Sequence, residues 1–349
     1  MQQPQVERGA APPIAPNPRR PTMKDVADAA GVSKALVSMI FRDAPGPSAE
    51  TRARVFEVAE RIGYRTNRTA SLLARRRTNL LGVTMSVRSP FHAELVDDLQ
   101  AVADEVGYEV VLSTVTRTHD ERRAIDTLLE FRCEALVLLG PDLPAAELET
   151  LAGQIPVVCV GRRLESPLLD VVRTADDEGL RQVVDHLVEL GHHRIVHAGE
   201  GASEIGAARQ QGYRAAMGRH GLDALIATVA GGSTEADGLR AATDLLARPR
   251  LPTAIAAFND RCAVGLLDGL DRAGIRVPQD VSVVGYDDSL IARLRRIDLT
   301  SVSQEAGAQA RLAVSAAIER LDGDRTAPSR AVLTPRLVVR GSTAPPPAG

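Results

Sequence analysis

The apolar positions of this chain change their period near residue 79. Between Pro21 and Tyr64 they recur at helical spacing in three short bursts. Val26, Ala27 and Ala30 give one face of a first helix, which Thr22 caps, with Asp25 at a position that favours the positive helix end. Gly31 breaks that helix, and Ser33 caps a second one running to about Phe41. After the turn-rich loop Asp43–Pro47, Ser48 opens a third helix whose Val55, Val58, Ala59 and Ile62 follow i, i+3, i+4, i+7 spacing. The spacing Ala27-x3-Gly31-x5-Val37 suits a helix-turn-helix. A small residue lets the helices approach, a glycine accepts the tight turn, and an apolar residue locks the second helix onto the first.

From Leu80 onward the pattern is different. Continuous apolar runs at Leu80–Met85, Tyr108–Val115, Ala135–Leu139 and Val157–Val160 read as strands, separated by amphipathic stretches such as Ala93–Val106 and Glu121–Phe131. A second series follows at His193–Ala198, near Ile226, and at Ala254–Phe258 and Val281–Gly285. Two βα series predict two parallel-sheet lobes with helices on both faces. Ligands of such folds sit outside the carboxyl ends of the strands, so strand-end residues are the candidates for binding.

Charge follows the same division. The whole chain of 349 residues carries −3, a value that by itself argues against a nucleic-acid partner. Yet Arg19–Asn79 holds 13 Lys or Arg against 6 Asp or Glu, a local +7. Residues 1–18 sum to zero, which leaves −10 on residues 80–349. A basic module attracts phosphates through counterion release, and an acidic body is kept off the polyanion.

Composition removes other classes. Apolar residues at 44% and charged residues at 25% describe a globular chain, and the length suggests two or three domains at roughly 100–200 residues each. No apolar run approaches the roughly 20 residues that span a bilayer. Residues 1–20 read as a disordered leader, since no apolar stretch follows Arg19-Arg20 as an export signal requires. Cys133, Cys159 and Cys262 lie in or beside apolar runs, without metal-ligand spacing, and read as buried thiols of a cytoplasmic protein. No metal site and no cofactor are expected.

With Val37 and Ile40 turned inward, the second helix presents Lys34, Ser38 and Arg42 on one outer stripe, with Ala35 and Met39 beside it. A solvated helix face is the plain alternative. The wider sequence favours DNA. Thr22-Met-Lys-Asp-Val-Ala-Asp-Ala-Ala-Gly-Val-Ser33, Val37-Ser38, Thr51-Arg-x-Arg-Val55 and Glu60-x-x-Gly-Tyr64 resemble the DNA-binding head of the lactose-repressor (LacI/GalR) family. Asn67-Arg-Thr-Ala-Ser-Leu-Leu-Ala74 resembles that family's hinge helix, which folds on operator DNA. The resemblance implies a homodimer whose paired hinges enter the minor groove, with Leu73 as the wedge at the central base step and Ala70 beside it. Ordinary packing against the body is the alternative for Leu72 and Leu73.

The chain also departs from the family pattern. Thr66 stands where proline often starts the hinge helix, so Asn67 must cap it. Lys34 reaches guanine O6 or N7, whereas Ala35 and Met39 offer apolar contact only. Arg42, Arg68 and Arg75–Arg77 suit phosphates, which position a protein without reading sequence.

The body resembles the same family, whose two lobes are similar to periplasmic sugar-binding proteins. Ser86-x-x-Ser-Pro-Phe91, Gly191-His-His-Arg-Ile195, Ala208-Arg-x-x-Gly-Tyr213, Phe258-Asn-Asp260, Ser282-Val-Val-Gly-Tyr-Asp-Asp288 and Leu299-Thr-Ser-Val-Ser-Gln304 carry the likeness in order. By position it implies effector contacts at Arg209, Asn259 and Asp287, with Phe91 as an apolar face and Gln304 as a further amide. Such groups suit a sugar, a nucleoside or another small polar metabolite. Capping or ion pairing is the preferred reading for Asp260 and Asp288, and structural roles for His192 and His193. Arg162 and Arg163 stay open between pairing and ligand contact.

The expected organisation is therefore a leader over 1–20, a helix-turn-helix domain over 21–65, a hinge helix and linker over 66–79, and a two-lobed effector-binding and dimerisation domain over 80–349. Lobe 1 takes about 80–174 and 304–332, lobe 2 about 175–303 and 333–341. The function expected is that of a nucleoid-associated, cytoplasmic transcriptional regulator, a repressor, whose binding of a near-palindromic double-stranded operator is controlled by a small effector. The rival is an α/β enzyme acting on a sugar or nucleoside, with Asp287-Asp288 as general bases or Gly199-x-Gly201 as part of a dinucleotide loop. It lacks a third glycine at Glu204, and no Walker sequence, nucleophile elbow or zinc signature appears. Gly341–Gly349 is Pro-rich without leucine heptads, so no tetramerising coiled coil is expected there.

Overall fold

The computed structural model describes residues 21–41, 44–64, 77–199, 201 and 203–347. The chain divides into two compact units between Arg76 and Arg77. In the first unit, α1 (Met23–Ala30), α2 (Lys34–Phe41) and α3 (Ala49–Arg61) enclose a small core of Val26, Ala27, Val37, Ile40, Val55 and Val58. Their ends follow the local chemistry. Thr22 and Asp25 form a reciprocal capping box, Gly31 ends α1 in the left-handed conformation (φ 65°), and the Ser33 and Ser48 hydroxyls accept the Leu36 and Thr51 N–H groups at 3.1 and 3.2 Å. The expected hinge helix, Asn67–Ala74 with Ala70 and Leu73, lies outside the described residues, as do the leader and Arg42; of the expected hinge and linker over 66–79, residues 77–79 are described.

Among its described residues the second unit holds two six-stranded sheets. The first contains β1 (Leu80–Ser86), β2 (Glu109–Val115), β3 (Ala135–Leu139), β4 (Val157–Val160), β5 (Asp170–Thr174) and β11 (Arg330–Leu333), in the order β11-β5-β4-β3-β1-β2. All its pairings are parallel. Helices α4 (Pro90–Glu105) and α11 (Ala306–Asp322) cover one face, and α5 (Glu121–Glu130) covers part of the other. A further helix, α6 (Ala145–Ala152), follows β3. β3 and β4 are buried at every position, which is why they read as unbroken apolar runs.

The second sheet contains β6 (Ile195–Gly199), β7 (Ala227–Ala230), β8 (Ala254–Ala257), β9 (Ser282–Asp287), β10 (Thr300–Ser303) and β12 (Arg336–Val338), in the order β12-β10-β9-β8-β6-β7. Only β12 runs antiparallel. One core lies under α9 (Glu235–Leu246) and α10 (Asp260–Arg272), the other under α7 (Asp176–Glu189) and α8 (Glu204–Arg219). This is the α/β body of two mainly parallel-sheet lobes that the two βα series predict, in a chain whose first unit is a three-helix head.

The chain crosses between the lobes after β5, after β10 and after β11. The crossovers are bonded to one another. Thr174 Oγ1 donates to the Gln304 carbonyl at 3.0 Å, Gln309 Nε2 donates to the same carbonyl at 2.7 Å, and the Ala175 N–H donates to the Leu333 carbonyl at 3.0 Å.

Candidate functional site

Within each lobe the strand order reverses beside the first strand of its series, β1 and β6. A crevice opens at such a switch point. The two crevices face each other and form one cleft of about 250 Å³. It is lined from the first lobe by residues just past β1, β3 and β4, and from the second by residues past β6, β8 and β9. Phe91, Arg209, Asn259, Asp287 and Gln304, spread over most of the body's length, all line it.

Each of the five is held before any ligand arrives. Phe91 sits in the first turn of α4, which the Ser89 hydroxyl caps, and its ring is part of the first lobe's core. Arg209 is buried on α8, its guanidinium carbon 3.6 Å from the centre of the Tyr286 ring. Its Nε donates to Asp176 at 2.9 Å and its Nη1 to the Phe258 carbonyl at 2.5 Å, so part of its fork is committed inside the lobe. Asn259 caps α10 through Oδ1, which accepts the Cys262 N–H at 2.9 Å, while Nδ2 donates to the Ser233 carbonyl at 3.2 Å. Gln304 Nε2 donates to Asp287 Oδ1 at 2.6 Å.

Asp287 ends β9 with a backbone φ of 113°, a strained conformation for any residue but glycine, and such strain collects at ligand sites. Burial pushes its carboxyl up to about 8, with the neighbouring Asp260 and Asp176 acting in the same direction against Arg209 and Gln304.

The neighbouring acids have structural partners. Asp260 accepts the Ser301 hydroxyl at 2.5 Å and both the N–H and hydroxyl of Ser289 at 2.8 Å. Asp288 pairs with Arg340 at 2.5 Å and Arg293 at 3.4 Å. His192 is buried and bonds the Ala344 carbonyl at 2.8 Å, while His193 is exposed. Arg162 spans the cleft. Its Nε and Nη2 each lie 2.8 Å from the Glu204 carboxylate, and its Nη1 donates to the Leu143 carbonyl at 2.5 Å. Two more contacts join the lobes: the Leu290 N–H donates to Glu94 at 2.8 Å, and Arg261 donates to the Arg88 carbonyl.

Sequence reasoning missed several lining residues, among them His92, Asp142, Ser203, Arg261 and Gln309. His92 directly follows the Ser86–Phe91 motif, and that adjacency was the available signal. Arg261 likewise follows Phe258-Asn-Asp260, whereas Asp142, Ser203 and Gln309 adjoin no motif.

In the head, Lys34 and Ala35 are exposed, Ser38 and Met39 are half-buried, and Val37 and Ile40 are buried. Met39 leans on the following loop, its Cε 3.6 Å from the point where a side chain on Gly46 would begin. Among the described residues no His, Cys, Asp and Glu cluster could hold a metal ion, and no helix is long and apolar enough to cross a membrane. Cys133, Cys159 and Cys262 are buried thiols that form no disulfide among the described residues.

Residues 22–67 match the bacterial regulatory proteins of the lacI family, and residues 184–343 match the periplasmic binding protein-like domain. The transcriptional regulator GalR of Escherichia coli is 33% identical over 330 residues, covering 93% of this chain and 96% of the relative. A LacI transcriptional regulator from a Rhodococcus species, solved as a crystal structure, is 44% identical with a TM-score of 0.74, covering 76% and 98% of the two chains. The lac repressor dimer bound to operator and an anti-inducer is 28% identical with a TM-score of 0.80, covering 93% and 100%. With Asp288 held in an ion pair and relatives named as regulators, the enzyme reading falls. The chain belongs to the lacI family of bacterial DNA-binding transcriptional regulators.

Proposed function

We propose that this regulator is a homodimeric repressor acting on double-stranded operator DNA in the cytoplasm, at the nucleoid. Its effector is a small polar metabolite held between the lobes. The observation that carries the reading is the convergence of Phe91, Arg209, Asn259, Asp287 and Gln304 on one polar cleft. The domain limits given above accompany it, with the hinge over 66–79 as the mechanical link. Thr22 and Ser33 fix the helix ends that meet the backbone, Lys34, Ala35, Ser38 and Met39 face the major groove, and Arg42 takes a phosphate. Asn67 caps the hinge helix, and Ala70 and Leu73 enter the minor groove of a near-palindromic site. Effector occupancy changes the spacing of the two hinges, a coupling of typically about 1–3 kcal/mol.

Gel-shift titration of genomic fragments across a salt series tests this. Sequence-specific binding is expected, falling by about 10³-fold or more between 50 and 200 mM salt. Leu73→Ala should weaken the specific complex while leaving non-specific binding intact. Sequence-blind binding by the parent protein would sink the reading.

A further inference from the structure

Residues 77–79 lead the chain into β1, and one carboxylate from another part of the first lobe bonds all three. Glu134, just ahead of β3, accepts the Thr78 and Asn79 N–H groups on Oε1, the second at 3.0 Å. Its Oε2 accepts the Arg77 Nε–H at 3.2 Å. The sheet brings these groups together, since β1 and β3 are parallel neighbours with Leu81 opposite Ala135. The Glu134 side chain is only 14% exposed, which shields the bonds from water.

Other elements close on the same point. Arg77 Nη1 donates to Asp322 at 2.9 Å, at the end of α11. Its Nη2 donates to the hydroxyl of the buried Tyr108, which in turn donates to Glu134 Oε2 at 3.3 Å. The Thr78 hydroxyl donates to the Arg132 carbonyl at 2.8 Å, and Asn79 Nδ2 to the Gly107 carbonyl at 3.3 Å. Asn79 has a φ of 52°, a left-handed conformation that asparagine accepts, so the chain turns as it enters the lobe.

The sheet's own ladder reaches back only to the Asn79 carbonyl, which accepts the Glu109 N–H at 2.9 Å. Among the described residues, Arg77 and Thr78 are held by the Glu134 clasp and not by the sheet. Released, these two residues would add about 7 Å of reach, at roughly 3.3–3.6 Å each. One base pair advances along a duplex by about 3.4 Å. A clasped exit point thus defines the separation of two DNA-bound heads to within a base pair, and a released one does not.

We infer that Glu134 is a positioning residue for operator binding: through Arg77, Thr78 and Asn79 it fixes where the linker leaves the first lobe, and so sets the half-site spacing that a dimer accepts. This rests on the reading of the protein as a dimer on a near-palindromic site. The test titrates full-length parent, Glu134→Ala and Arg77→Gln by gel shift against the tightest site that the parent selects from a random duplex library. The same site with one base pair inserted at its centre is titrated beside it. The parent should bind the inserted site about tenfold or more less tightly than the selected one. In the variants that ratio should shrink by about threefold or more, with the inserted site bound at least as tightly as by the parent, because a slack tether reaches a misplaced half-site. Damage to the fold would instead weaken both complexes. Glu134→Ala decides if its melting midpoint lies within about 5 °C of the parent's, and Arg77→Gln, at a half-exposed side chain, decides otherwise. If the deciding variant keeps the parent's ratio, or binds the inserted site less tightly than the parent does, the role of Glu134 is overturned and the dimer reading stands. A parent that binds the two sites equally, or selects no site, overturns both.

Discussion

At the scale of single residues, the body keeps several ionisable groups in states that water would not favour. His197 is fully buried on β6, its Nδ1 2.9 Å from the Ala256 carbonyl, so Nδ1 is the protonated nitrogen of a neutral ring. Burial holds it down to about 4, below the 6.5 of an unfolded chain. The unfolded state therefore binds more protons between those values, and the contribution of this group is lost as pH falls from about 6.5 toward 4. At pH 5 the loss is about 2 kcal/mol. Asp260 and Asp287, both raised, act in the opposite sense, and they are present in the parent and in any histidine variant alike. The comparison to make is thus the denaturant midpoint of His197→Gln against the parent at pH 7.5 and pH 5. The variant is expected to lose about 2 kcal/mol less on acidification, and parallel losses would show that His197 is not the group that titrates.

At the scale of elements, local chemistry was legible and close packing was not. The caps at Thr22, Ser33 and Ser48 act within three residues of themselves, so their sequence signal is complete. The strands β1, β3, β4 and β8 are buried on both faces, and this made them visible as apolar runs. β5 escaped notice because Asp170 and Arg173 interrupt its apolar pattern, and Asp170 is tolerated there because Arg325 reaches it at 2.6 Å, Arg320 at 3.7 Å and the Ser329 N–H donates to it at 2.5 Å. β10, β11 and β12 are three or four residues long and carry no period to read. The α9–α10 contact is a stronger case. Gly238 and Gly265 lie where the two helices touch, and a methyl group on either would collide with the facing backbone at Cys262 or Glu235. Gly238→Ala improves helix propensity yet should destabilise the body by about 1–3 kcal/mol through overpacking, read as a lower midpoint in urea. A gain in stability would mean that the helices separate at no cost.

At the scale of the whole body, the lobes are held closed over the cleft by contacts that no stretch of sequence announces. Arg162 and Glu204 form the most complete of these, with the arginine largely buried and the glutamate open to water. A pair of this kind contributes roughly 0.2–1 kcal/mol, up to about a fivefold change in the open population. Glu204→Gln should therefore speed amide exchange at Asp142 and Leu143, beside the carbonyls that Arg162 also holds, by up to about fivefold. Unchanged exchange there would assign closure to the Glu94–Leu290 and Arg261–Arg88 contacts instead. The sequence by itself determined the basic head, the acidic body, the helix caps, the two βα series and the identity of five cleft residues. These depend on neighbours a few positions away, or on motifs that repeat in order. Only the tertiary structure decided that Arg209 is half spent on Asp176 and Phe258, that Gln309 ties the crossovers, and that Glu134 holds residues 77–79 where the chain enters the first lobe. The physical reason is that each depends on which strands become neighbours in a parallel sheet, where adjacent strands are joined by whole helices and contacting residues lie far apart in the chain.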